Sequence, residues 1–316
     1  MNRIVSLIPS ATEIVSALGL EDHLVGRSHE CDYPPSVQHL PICTAPRFNT
    51  DGTSRGIDRE VKTILQDALS LYRVDVELLK KLRPTHIVTQ TQCEVCAVSL
   101  NEVEEALCEW TESKPILIPL SPNRLSDVWA DIHRVAEAVS LPERGRRLVE
   151  KLQNRMARIA ERTESLSIRP RVSSIEWMEP LMAGGNWMPE LVTAAGGVNL
   201  FGEAGKHSPW MTWHALKEAD PDLLLILPCG FNIQRTKNDI ASLTDQAVWS
   251  DLKAVRENQV YLLDGNQYFN RPGPRLAESL EILAEILHPT QFRFGHEGRG
   301  WEKHRLEPTG SLNDPA

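Results

Sequence analysis

Two periods govern the placement of apolar residues along this chain: short apolar runs, and longer stripes spaced three and four apart. Arg3–Ile8 is a short run of the kind that a strand covered on both faces needs. Ser10-Ala11-Thr12-Glu13 reads as a capping box opening a helix over Ala11–Leu18, which stops at Gly19. His23–Arg27 reads as a second strand. Ile57, Val61, Ile64, Leu65, Ala68 and Leu69 form a helical stripe within 56–71. Val76–Leu82 is a short helix leading through Pro84 into the strand Thr85–Thr89. Ser99–Trp110 is helical again, and Pro115–Leu120 is a buried-type strand. The helices Leu125–Val139 and Glu143–Glu164 follow, the second charged and uninterrupted for about six turns. It suits a connecting spine better than a helix packed in a layer.

A second alternating set lies beyond that spine. It comprises strand Arg171–Trp177, helix Pro189–Ala195 stopped by Gly196-Gly197, helix Trp213–Ala219, strands Asp222–Leu227 and Gln259–Leu263, and helix Pro274–Leu287. Strands alternating with amphipathic helices predict an α/β fold, two Rossmann-like lobes with parallel sheets bridged by one long helix. Leu79–Val88 and Leu216–Leu224 share a helix–Pro–strand pattern, an internal echo that supports two similar lobes. The expected division is an N-terminal lobe over 1–122, linking helices over 123–167, a C-terminal lobe over 168–289, and a mobile tail over 290–316, where periodicity is lost.

Composition narrows the function classes. Thirty-four Lys and Arg against 43 Asp and Glu leave a net charge of −9 with no basic run, which argues against nucleic-acid binding. No apolar run approaches the ~20 residues of a membrane span. Met1–Pro9 lacks the ~7–15-residue apolar stretch of a secretory signal, so a cytoplasmic location is expected. The 6 cysteines are then expected to be thiols or metal ligands.

In parallel α/β lobes, ligands gather beyond the carboxyl ends of the strands. Three such ends carry unusual residues: His29-Glu30-Cys31-Asp32, Gln90–Cys96 and Pro228-Cys229-Gly230-Phe231. Cys31, Cys93, Cys96 and Cys229 would converge on one cleft, where thiolates can hold Zn or an iron–sulfur cluster. The alternative is that they pack as small hydrophobes. Trp177, Trp187, Trp210, Trp213, Tyr268 and Phe269 stand in or beside predicted loops with Arg271 near, a set that suits a wide, flat ligand. No GxGxxG follows the first strand and no GxSxG elbow is present.

Taken in order, these segments resemble a known family. Arg3–Glu13, Gly26, Asp32-Tyr33-Pro34-Pro35, Arg83–Val88, Ala195–Asn199, Pro209-Trp210, Asp220–Ile226 and Tyr268–Arg275 are similar to the class III substrate-binding proteins, the cobalamin- and ferric-siderophore-binding components of ABC importers. The resemblance covers 3–288, with 49–73 as an insertion. It implies the class III periplasmic-binding-protein fold and a rigid interlobe cleft without catalysis. The expected ligand is a cobalamin-like corrinoid or similar large metal chelate. Trp210, Tyr268 and Arg271 carry over directly, with Trp187 and His29 beside them; Glu30, Gln90 and Leu181 stand where cobalamin binders place aromatics. Transport members present one surface Glu per lobe to a permease. Glu77 matches the first and His214 falls at the second, so ordinary permease docking is not expected. The signatures Cys-Asp-Tyr-Pro, Cys-x-Val-Cys-Ala and Pro-Cys-Gly-Phe are those of a cytoplasmic branch labelled cobalamin-binding. A siderophore or haem binder, and a metal- or cluster-dependent protein (possibly an enzyme) on the same fold, are the alternatives.

Overall fold

Each predicted run of short apolar residues becomes a strand of one of two main sheets in the computed structural model, which describes residues 2–66, 71–91 and 114–305. The N-terminal lobe contains β1 (Ile4–Ser6), α1 (Pro9–Ala17), β2 (Leu24–Arg27), β3 (Thr44–Pro46), α2 (Ser54–Gln66), β4 (Tyr72–Val74), α3 (Val76–Leu82), β5 (His86–Gln90) and β6 (Ile116–Leu120). Its sheet runs β2-β1-β5-β6, with every pairing parallel. Ile4 and Val5 of β1 and Ile87 and Val88 of β5 have no solvent exposure, as strands covered on both faces require. β3 and β4 pair antiparallel in a separate ribbon, and α2 is the excursion between them.

Two linking helices follow, α4 (Leu125–Ala138) and α5 (Pro142–Glu164). The C-terminal lobe then adds β7 (Arg171–Trp177), β8 (Met182–Ala183), α6 (Met188–Ala194), β9 (Val198–Asn199), α7 (Trp213–Ala219), β10 (Leu223–Ile226), α8 (Ile233–Asp239), β11 (Val260–Leu263), α9 (Leu276–Leu287) and β12 (Trp301–Lys303). Its sheet runs β12-β11-β10-β7-β8, with β9 also on β7. Strands β7, β10 and β11 are mutually parallel, and β12 closes the edge antiparallel. The spine helix α5 is more than a connector. Val149, Leu152, Met156, Ile159 and Thr163 form a stripe along it, buried among α4, α6 and α9. One continuous apolar cluster therefore runs from Ile14 and Ile132 through Leu152 to Leu191 and Leu280, beside a further cluster in each lobe.

Two expectations are corrected here. Ser10 does not open a capping box: α1 begins at Pro9 with no side-chain cap, and Glu13 is buried and engaged elsewhere. Up to residue 305 the tail expected to be mobile is packed on the C-terminal lobe. Phe292 is buried under the Arg162 guanidinium, β12 pairs with β11, and Glu285 on α9 accepts hydrogen bonds from the backbone N–H of Phe294, Gly295 and His296 and from Trp301 Nε1. The missing periodicity reflects a chain held by one carboxylate and an edge strand, neither of which leaves a repeating pattern. The expected helix Ser99–Trp110 and residues 306–316 lie outside the described residues. Among the described residues no helix is long and apolar enough to cross a membrane.

Candidate functional site

The carboxyl ends of β1 and β2 and the loop after β11 meet in a network of buried charges. Glu13, on the first turns of α1, accepts from Arg275 through both oxygens (Nε 3.0 Å, Nη2 2.5 Å) and from Arg271 at 3.4 Å. Arg271 also donates to Asp32 at 2.5 Å, Asn266 at 3.0 Å and the Glu30 carbonyl at 3.4 Å. Burial works to raise the Asp32 carboxyl, but the bond and charge of Arg271 hold it below its usual range. Only 4% of Arg271 is exposed, so its guanidinium belongs to this interlobe knot and not to a free ligand-binding surface.

The loop that carries these arginines is fixed from below. Gly265 opens the turn Gly265–Phe269, and a Cβ there would stand 2.3 Å from the Pro228 carbonyl oxygen, so only glycine lets the turn approach the end of β10. Trp187 donates through Nε1 to the Phe269 carbonyl at 2.9 Å and is 5% exposed. It therefore braces the loop from inside the core, which corrects its expected place on the ligand wall. Tyr268 is buried as well. Its ring lies 5.3 Å from the Arg275 guanidinium and lines a cavity of ≈ 600 Å³ with Arg155, Asp264, Glu281 and His296.

A second group stands beside the knot. His29 follows β2; its backbone N–H and its Nδ1 lie 3.1 and 2.7 Å from Thr44 Oγ1, and Tyr72 packs on its ring at 5.4 Å. Thr44 donates its hydroxyl hydrogen to Ser28 Oγ at 3.0 Å. With the Thr44 hydroxyl hydrogen on Ser28, the contact is met by Nδ1–H as donor, the tautomer that carries its lone pair on Nε2. Nε2 is shielded from solvent and has no hydrogen-bond partner among the described residues. Burial, with Arg27 nearby, pushes the imidazole down to about 4, so it is neutral at pH 7. Glu30 is pushed up to about 7 by burial against the opposing charge of Arg271, and it accepts from Tyr72 Oη at 3.4 Å.

The remaining expected residues divide between the lobes. Gln90 ends β5 and is buried. Leu181 is buried in the apolar cluster at the ends of β7 and β10, whereas Trp210 is 60% exposed with Lys62 Nζ 5.3 Å above its ring. Cys31 is buried beside Thr12, which donates to its sulfur at 3.0 Å, and burial pushes the thiol up to about 11. A thiol so disposed to stay protonated packs as a small hydrophobe. Cys229 is half-buried after β10, and Cys93 and Cys96 lie outside the described residues. Among the described residues no three His, Cys, Asp or Glu are grouped to hold a metal ion, and nothing there supports the Zn or iron–sulfur reading. Sequence reasoning missed Glu13, Tyr72 and Arg275 as site residues. The pairing of an Asp-Tyr-Pro segment with an Arg-Pro-Gly-Pro-Arg segment was the available signal.

Comparison with known proteins places this geometry in context. The family model described as "Periplasmic binding protein" matches residues 4–267. A Bacillus subtilis protein described as an uncharacterized ABC transporter substrate-binding lipoprotein, YvrC, is 24% identical over 299 residues, covering 92% of this chain and 81% of its own. A vitamin B12-binding protein of Vibrio cholerae is 23% identical over 293 residues, covering 92% and 90%. The apo structure of the periplasmic haem-binding protein RhuT from Roseiflexus sp. RS-1 superposes with a TM-score of 0.67 at 22% identity, covering 91% and 98%. These findings overturn two expectations. A cytoplasmic location conflicts with a family and solved relatives that are periplasmic, and the case against permease docking conflicts with a relative described as an ABC-transporter component. Both rested on weak signals, the opening residues and a single surface position.

Proposed function

The chain belongs to the periplasmic binding protein family, and from that premise we propose that its interlobe cleft takes a large metal chelate, a corrinoid or a haem, for delivery to an ABC permease. It is a non-catalytic ligand-binding protein with the class III fold. What supports the chelate reading is a neutral imidazole at the carboxyl end of β2, set against Thr44 through Nδ1, whose Nε2 lacks a partner among the described residues; Nε2 is shielded as it stands, so this role requires the lobes to part around the ring. Imidazole in this form is a good axial ligand for cobalt or iron, and the hydroxyl behind it fixes the ring orientation. The partners of Arg271 limit its role to holding the wall on which the ligand rests. Trp210, exposed on the opposite lobe, supplies a flat apolar face.

The relatives described as binding vitamin B12 and haem support a macrocyclic ligand and divide on which one. The narrower corrinoid assignment, in a cobalamin-labelled branch, rests on the sequence signatures. Purified protein titrated separately with hydroxocobalamin and with hemin tests both. Binding of one of them at micromolar concentration, with a shifted visible spectrum that His29→Ala abolishes, is the expected outcome. No binding of either would reject the reading. Binding with a spectrum unaltered by His29→Ala would keep the cleft and remove the axial role.

A further inference from the structure

Helix α2 belongs by sequence to the N-terminal lobe, because it is strung between β3 and β4 of that lobe's ribbon. Its apolar stripe does not stay there. Ile57, one turn in, is 7% exposed and packs in the C-terminal-lobe cluster of Met178, Leu181 and Phe231. Val61 touches that cluster and also the N-terminal-lobe cluster of Leu7, Cys43 and Tyr72, and Ile64 touches the N-terminal-lobe cluster alone. Positions 57, 61 and 64 lie on one helical face, so the stripe passes from one lobe to the other along the helix axis. Phe48, just before α2, also packs against both clusters.

Polar pins fix the far end. Asp239 at the end of α8 accepts from the backbone N–H of Ser54 at 2.8 Å, capping α2 from across the lobes. Arg235, on the same helix, donates to the carbonyls of Thr50 and Gly52, while its guanidinium lies 3.9 Å from the centre of the Phe231 ring. Arg55 pairs with Glu179 at 3.5 Å, and Lys62 sits over Trp210. Met178, Leu181 and Phe231 follow β7 and β10 at their carboxyl ends, where ligands gather in such sheets.

We propose that α2 is a built-in strap: it closes the lobes together at the mouth of the cleft and must release from Asp239 and Arg235 before a bulky ligand enters. The strap itself follows from the packing alone; its effect on ligand entry rests on the proposed function of the cleft. The double variant R235A/D239A removes both pins without touching His29, Glu30 or the buried knot. The test is hydrogen–deuterium exchange of wild type and double variant, followed by stopped-flow association of hydroxocobalamin and of hemin. Loss of the pins is expected to raise exchange selectively within 54–66, by about tenfold or more, and to accelerate association of whichever probe binds wild type. Unchanged exchange within 54–66, or faster exchange there with no change in association, overturns the proposal. If α5 also loses protection in the double variant, Ile57→Ser replaces it: selective loss within 54–66 supports the strap, and no loss or global loss rejects it. Should neither probe bind wild type, the proposed ligand class fails, while exchange alone still decides the strap.

Discussion

His29 and Glu30 are adjacent, yet their environments drive them in opposite directions, and this gives the site a distinctive pH response. His29 falls from 6.5 in the unfolded chain to about 4, so the unfolded state binds more protons between those values and its contribution to stability weakens as pH falls through that window. Glu30 rises from 4.5 to about 7, so the folded state binds more protons between those values and its contribution is lost as pH rises through 7. The two slopes nearly cancel from 4.5 to 6.5, and Glu30 alone acts just above. Glu30→Gln removes its term. The variant should gain on wild type as pH rises from 5 to 8, by about 1–2 kcal/mol after allowance for the partial exposure of this site. Denaturant melts at both pH values check this, and an equal gap at pH 5 and pH 8 would show that Glu30 is ionised throughout. Neither shift was legible in the sequence, because the first cause of each is burial, which segments distant in the chain impose: Tyr72 packs on the His29 ring, and Tyr72 and Arg271 face Glu30.

Among the elements, the long helices with an unbroken apolar stripe were the legible ones. The stripes of α4, α5 and α9 each pack on a contiguous core, so spacing alone located them, to within a few residues at their ends. The residues from 290 to 305 show the opposite case. They follow Pro289 with no repeat, yet they supply the edge strand of the second sheet and satisfy Glu281 and Glu285. His296 donates to Glu281 from Nε2 at 2.9 Å, and Arg155 donates to the same carboxylate through two nitrogens at 2.6 and 2.7 Å. Burial would raise that carboxylate, but these bonds hold it below the usual range. Ending the chain after Pro289 leaves Glu285 without its four donors, bares the edge of β11 and removes the buried Phe292 ring. Phe292 alone is worth about 1.5–3 kcal/mol of burial. At about 2–4 °C per kcal/mol, the truncated protein should melt at least ~5 °C lower and aggregate more readily. A thermal melt with light scattering reads both, and an unchanged midpoint would restore the mobile-tail interpretation.

At the scale of the molecule, the described residues tie the lobes in three places that sequence order keeps far apart. The spine α5 joins them covalently and through one core, Glu13 joins them through Arg271 and Arg275, and α2 joins them at the cleft mouth. The first tie was legible because a long charged helix announces itself. The other two were not, because Glu13 and Ser54 reach partners more than 180 residues later, and nothing local to Ser10–Glu13 distinguishes an interlobe anchor from a capping box. Three ties around a shared core predict that the lobes unfold together, although each carries its own sheet. Of the three, the Glu13 knot is the one whose loss is hardest to absorb. Glu13→Ala leaves Arg275 buried with Gln267 as its one remaining side-chain acceptor among the described residues, a loss of about 3–5 kcal/mol for a broken buried pair. The lobes then keep the spine and the strap but lose the charge link at the cleft floor. Calorimetry should show one transition in wild type, with equal calorimetric and van't Hoff enthalpies, and a broader or split transition in Glu13→Ala. If Glu13→Ala only lowers the midpoint and the enthalpies stay equal, the shared core carries the cooperativity, and the knot contributes stability without coupling.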